Sequence, residues 1–217
     1  MGTKKNERYK AHQRYYVDGK RVPGTTTILG VINKPALMYW AWDLGMQGVD
    51  YRKYTDDMAT IGTLVHKRIE DHIKGKETDY TDYTPTQIKI SDVGYHKFLE
   101  WEEENQPKYL RSELMLSSEV YGYGGTVDLY AKIGKKYVLV DFKTSKAIYD
   151  DQFCQVSAYA NLMRENGMQV DEVLILRIGR DKSEGFEVRK VNQEKLYFEV
   201  FKNALGIYNV KKKLKWR

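Results

Sequence analysis

One cysteine, Cys154, stands among 217 residues. No intrachain disulfide can form, and no zinc or iron–sulfur site can be built from thiolates, so a reducing compartment fits. No stretch approaches the roughly 18 consecutive apolar residues of a membrane span. The opening segment, Met1 to Lys10, is polar and lacks the apolar run of a secretory signal, so the chain is expected in the cytoplasm without membrane association. Proline is also scarce. The four prolines fall at apparent element boundaries, and there is no Pro/Gly/Ser linker, repeat or low-complexity tract. These absences leave one domain, residues 1–217, with 41% hydrophobic residues to build its core.

What is present is positive charge and tyrosine. The formal net charge is +6, with 18 tyrosines and a basic end at Lys211, Lys212, Lys213, Lys215 and Arg217. A polyanionic partner is the economical reading, and aromatic faces beside basic groups suit unpaired bases. Modest charge also serves solubility, tyrosines also fill cores, and a terminal basic run is usually solvated.

Turn chemistry and periodicity divide the chain. Tyr15 to Val22 reads as a hairpin turning at Asp18-Gly19. A helical region follows, with Thr25-Thr26-Thr27 as its cap, a break at Pro35, and an apolar stripe of Leu37, Trp40, Ala41 and Leu44. Thr63 is expected to cap a helix carrying Val65, Ile69 and Ile73, which Gly75 ends; His66 and Glu70 share a neighbouring face. A helix with Phe98 and Trp101 runs to about Asn105. Strands are expected at 110–118, 126–133 and 137–144, a helix at 150–166, strands at 172–178 and 186–191, and a final helix. Tyr121 to Gly125 reads as a strand-to-strand turn. The sum is an α+β fold, an α/β sandwich with a central mixed sheet flanked by helices. Residues 1–60 form an N-terminal hairpin and helical region, and 61–217 the remaining core.

The most informative stretch is Gly125 to Lys143. If Gly134-Lys135 is a two-residue II′ turn, Ile133 pairs with Lys136 and Asp128 falls opposite Asp141. Alternation puts Val127, Leu129, Ala131 and Ile133 on one face with Val138, Val140 and Phe142, leaving Asp128, Asp141 and Lys143 on the other. Opposed like charges destabilise a strand pair unless something compensates. Lys143 is one compensating group and a divalent cation is a stronger one. Taken alone, this geometry is better read as an ordinary solvent-facing strand of mixed charge.

The flanking motifs change the balance. Gly62-Thr-Leu-Val-His66, Gly125-Thr-Val-Asp128, Asp141-Phe-Lys143 and Gln155-Val-Ser-Ala-Tyr159, in this order, resemble the PD-(D/E)xK nucleases, in particular their RecB-like exonuclease branch. The missing cysteines match the cluster-free phage and mitochondrial type. The resemblance implies a restriction-endonuclease-like core and a bacterial or phage-infected cell. It implies that Asp128 and Asp141 ligate one or two Mg²⁺ or Mn²⁺ ions with His66 and the Phe142 carbonyl, and that no iron–sulfur cluster is bound. Glu113 is a candidate further ligand. That donor set, oxygens with one imidazole, suits hard divalent cations. Lys143 would hold the attacking hydroxide or stabilise charge on the phosphorus centre. Gln155 and Tyr159, one helical turn apart, would face the site, the amide positioning water or phosphate and the phenol touching DNA. Lys34 and Trp42 are further candidate DNA contacts in a helical region that covers the site. Trp40 reads as packing and Glu70 as either an orienting partner of His66 or a lysine's partner. His12, His72 and His96 read as structural.

Three functions are consistent with this sequence: a DNA exonuclease acting from single-stranded ends in recombination, repair or phage DNA processing; an endonuclease with the same site; and a non-catalytic nucleic-acid binding module. The last is disfavoured because every catalytic position is filled.

Overall fold

The structure, a computed structural model, describes residues 13–32, 34–180 and 184–216. Met1 to Lys10, His12 and Arg217 lie outside the described residues, and with them the expectations placed on them.

A short antiparallel hairpin, β1 (Tyr15–Val17) and β2 (Lys20–Val22), precedes α1 (Thr25–Leu29), α2 (Pro35–Met46), α3 (Tyr51–Ile73) and α4 (Pro85–Asn105). The rest alternates around one sheet: β3 (Lys108–Ser118), β4 (Tyr123–Ile133), β5 (Lys136–Lys143), α5 (Asp150–Glu165), β6 (Glu172–Ile178), β7 (Phe186–Lys190) and α6 (Glu194–Lys213). The strands lie in the order β3-β4-β5-β6-β7. Only the β5/β6 pair is parallel, as its helical crossover through α5 requires. The expected α+β architecture, a mixed sheet between helices, is therefore present.

Local chemistry explains the boundaries. Gly134 carries φ +58° at the first turn position, and Ile133 pairs with Lys136, so the II′ turn sets the β4/β5 register as expected. α4 opens with a capping box between Thr84 and Gln87, with Pro85 at the first helical position. α5 carries Asp150 and Asp151 in its first turn, where carboxylates favour the helix dipole.

Both sheet faces are covered. One packs Leu129, Ala131, Val138, Val140, Phe142, Leu176 and Ile178 against Val65 and Ile69 of α3 and Phe98 and Trp101 of α4. The other packs Tyr123, Val127, Tyr130, Leu139, Val173 and Ile175 against α1, α5 and α6. Among the described residues no helix is long and apolar enough to cross a membrane.

Several local expectations are corrected. Val127 belongs to the opposite core cluster from Leu129 and Ala131, so strict alternation fails at Asp128. There the β3/β4 pairing passes from Ser112↔Leu129 to Leu114↔Val127, and Glu113, on the facing strand, adopts φ +49°. Thr63 does not begin a helix. It lies inside α3, its hydroxyl donating to the Ala59 carbonyl at 2.9 Å, while Asp50 caps the helix by accepting the N–H groups of Arg52 and Lys53. α3 thus runs unbroken across residue 60. Gly24, not a threonine, precedes α1, and the buried Thr25 hydroxyl instead donates to the Gly124 carbonyl at 2.9 Å. The stripe on α2 is not a core face: no residue of α2 is buried, and Trp42 is 64% exposed. Trp40 sets its edge against Tyr51 and Tyr54 of α3.

Candidate active site

A cavity of about 750 Å³ opens beside the C-terminal end of β5. His66, Asp128, Asp141, Phe142, Lys143, Gln155 and Tyr159 line it, drawn from α3, β4, β5 and α5. The four motifs separated along the chain therefore meet in one place.

Two glycines of these motifs let the elements approach. A Cβ on Gly62 would stand 2.4 Å from Thr144 Oγ1, so only a residue without a side chain lets α3 rest on the end of β5. His66, one turn further along α3, then reaches the sheet. A Cβ on Gly125 would stand 2.5 Å from the Tyr159 ring, so the bare backbone of β4 makes the space that the phenol fills.

The β4/β5 pairing ends at Leu129↔Val140, one step before Asp128 and Asp141. At that step Asp128 Oδ2 accepts the Phe142 backbone N–H at 2.9 Å and lies 3.5 Å from His66 Nδ1. Ligand atoms of His66, Glu113 and Asp128 all lie within 4.8 Å of one another, from three separate elements. Glu113 reaches this group from a left-handed backbone conformation that costs a non-glycine residue energy, a feature that concentrates at functional sites. One imidazole and two carboxylates so placed can hold a divalent cation. Asp141 stands outside that group. Its side chain is buried, and Lys143 Nζ lies 2.5 Å from Oδ2. The two form a close, largely buried ion pair. Burial, opposed by Lys143 and reinforced by Asp128, holds the Asp141 carboxyl above the usual range.

Gln155 Nε2 donates to Tyr159 Oη at 2.7 Å. Burial, and after it the neighbouring Asp141 charge, pushes the Tyr159 phenol well above its ordinary value, so it stays protonated and can serve as a donor. Phe142 lays its ring edge-to-face against His66 and Phe98, fixing its backbone beside the acidic cluster.

The remaining candidates lie elsewhere. Lys34 pairs with Asp151 at 2.6 Å, and neither it nor Trp42 lines the cavity. Glu70 pairs with Lys74, its neighbour one turn on. His72 lies between Glu102 and the Tyr95 hydroxyl, and His96 Nδ1 is 2.7 Å from the Asp92 carbonyl. The walls were not legible in sequence. The N-terminal hairpin and α1 form one side through Tyr15, Arg21 and Thr27, and α6 contributes Tyr208 and Lys212. No local motif marks these residues, because they meet the site only through long-range packing.

No family model matches the chain, and no curated protein matches it in sequence. Among solved structures, a protein from Eubacterium rectale named as an exonuclease superposes with TM-score 0.51 at 12% identity, over 71% of this chain and 66% of that one. The chain thus spans about two thirds of that protein's length, and the likeness is one of fold. The alkaline exonuclease LHK-Exo of Laribacter hongkongensis, in complex with dAMP, gives TM-score 0.41 at 10% identity, over 70% of this chain and 78% of that one.

Proposed function

We propose that this protein is a metal-dependent deoxyribonuclease that degrades DNA from single-stranded ends. One observation carries the reading: the ligand atoms of His66, Glu113 and Asp128 converge within 4.8 Å, and His66 and Asp128 line the cavity that also holds the Asp141–Lys143 pair. The fold shared with a protein named as an exonuclease supports it.

In this reading His66, Glu113 and Asp128 hold Mg²⁺ or Mn²⁺, with Asp141 and the Phe142 carbonyl as adjacent oxygen donors. A cation bound there supplies Lewis-acid polarisation of a phosphate and lowers the pKa of water. Lys143, kept in place by Asp141, offsets negative charge that builds on the phosphoryl oxygens as the bond breaks. Tyr159, neutral and oriented by Gln155, donates a hydrogen bond and does not act as a base. Asp128 Oδ2, anchored by the Phe142 N–H, is held near His66, and the carboxylate stays grouped with Glu113.

The cavity walls support the preference for ends. With the hairpin on one side and α6 on another, about 750 Å³ suits a nucleotide-sized part of one strand and not a duplex. Trimming of free ends suits DNA recombination, repair or phage DNA processing.

The test is incubation of end-labelled linear and covalently closed circular single-stranded DNA with Mg²⁺, Mn²⁺ or EDTA. Linear strands should be degraded with either metal and survive in EDTA, while circles persist. Rapid cutting of circles makes the protein an endonuclease, and cutting in EDTA removes the metal from the chemistry.

A further inference from the structure

Asp128 and Asp141 line the cavity and Glu113 lies close to Asp128, so a polyanion is repelled there unless cations hold it from another direction. Among the described residues Lys143 is engaged with Asp141. Two further cations line the cavity: Arg21 on β2 and Lys212 near the end of α6. Neither is held by a carboxylate among the described residues.

Their placement is fixed by the fold on both sides. The hairpin bearing Arg21 is tied to β4 by the Gly24↔Gly124 bridge, by the Gly124 N–H donating to the Pro23 carbonyl at 3.0 Å, and by Tyr15 Oη lying 3.0 Å from Thr126 Oγ1. On α6, Tyr208 packs against the core cluster. Lys212, four residues on, projects from the same helix face and so reaches the cavity. Lys211 and Lys213, its neighbours, do not line it. All three lysines suit the negative end of the helix dipole, which accounts for their charge but not for the position of Lys212.

We propose that Arg21 and Lys212 form a two-sided clamp for the phosphates of a single DNA strand that flank the one being cleaved. The clamp rests on the nuclease reading for its substrate, but its cations act on the polyanion without any metal. It gives the basic end of the chain a task beyond solubility, and it joins residues separated by almost the whole sequence into one binding surface.

The test measures binding apart from cleavage. A fluorescein-labelled oligothymidylate is titrated in EDTA against the whole protein over a range of salt, with anisotropy as the readout. Arg21→Ala and Lys212→Ala should each weaken binding several-fold and lower the slope of log affinity against log salt by about 0.7, the value for one phosphate contact on a single strand. Lys213→Ala removes the same charge from the same turn and should leave the slope where it was. Slopes equal to wild type in Arg21→Ala and Lys212→Ala, or an equal drop in Lys213→Ala, overturn the clamp. Thermal unfolding of each variant shows that it folds. Should the wild type bind in EDTA with the expected slopes and yet fail to cleave with Mg²⁺ or Mn²⁺, the nuclease reading falls and the clamp stands.

Discussion

Asp128 accepts the backbone N–H of Phe142 through Oδ2, at 2.9 Å, one residue past the Asp141 that the hairpin register sets opposite it. The side chain thus does the work of a ladder carbonyl at the point where β4 and β5 cease to pair. Both carboxylates are drawn into the same cavity without facing each other as free charges, since Asp141 turns to Lys143 and Asp128 to His66.

That division of partners separates two substitutions. Asp128→Asn keeps an acceptor for the Phe142 N–H, so the fold should persist while Mn²⁺ binding, followed by calorimetry, weakens and cleavage falls by at least about a hundredfold. Asp141→Asn should also abolish cleavage, with a different effect on stability. Burial raises the folded-state pKa of this carboxyl, so its contribution to stability is present at acid pH and is lost as pH rises through that value. Metal-free Asp141→Asn should therefore melt at or above wild type near neutral pH, the difference narrowing as pH falls. Normal cleavage by either variant would remove the site assignment.

Lys143→Ala should lower turnover by about 10²–10³ while leaving DNA affinity nearly intact, because its ammonium is already paired with Asp141 and adds little net attraction for the strand, yet sits beside the carboxylates of the site. Comparing single-turnover rates with anisotropy titrations decides this. Equal losses in both would make Lys143 an anchoring residue only.

Gly124→Ala tests the hairpin wall. The added methyl would lie 2.2–2.6 Å from Tyr15 Cγ, Cβ and Cδ1, within a segment whose backbone is held to Pro23 and Thr25. A loss of about 1–3 kcal/mol is expected. Combining it with Tyr15→Gly should cost less than the sum of the two single changes, since the clash with Cβ and ring vanishes with the side chain. Strict additivity in denaturant unfolding would place the strain elsewhere.

Cys154 should be inert in the folded protein. Burial, with Asp151 and Asp150 nearby, pushes its thiol from 9.0 to about 11, so little thiolate is present at pH 8. A disulfide exchange reagent should react with it only after denaturant is added. The raised value also means that the thiol's contribution to stability is present below about pH 9 and declines as pH approaches 11. Prompt labelling of the native protein would contradict the burial.

Much of this was legible in the sequence, and for a physical reason. Gly134 dictates a tight turn, the turn dictates register, and register places Asp128 and Asp141 together, all within one local stretch. The helical spacing of Gln155 and Tyr159, and of Gly62 and His66, is equally local. The order of strands followed the apolar runs. Other features had no local signature. Glu113 joins the acidic group through a left-handed backbone conformation on β3, and Val127 changes face beside it, neither of which a period of two contains. The aromatic α2 looked suited to covering the site, yet its residues remain exposed while β2, α1 and α6 supply the walls. Periodicity reports which residues favour burial within one element. Which elements then close around a cavity is decided by packing between segments far apart in the chain, and that is how Arg21 and Lys212 come to flank the same site.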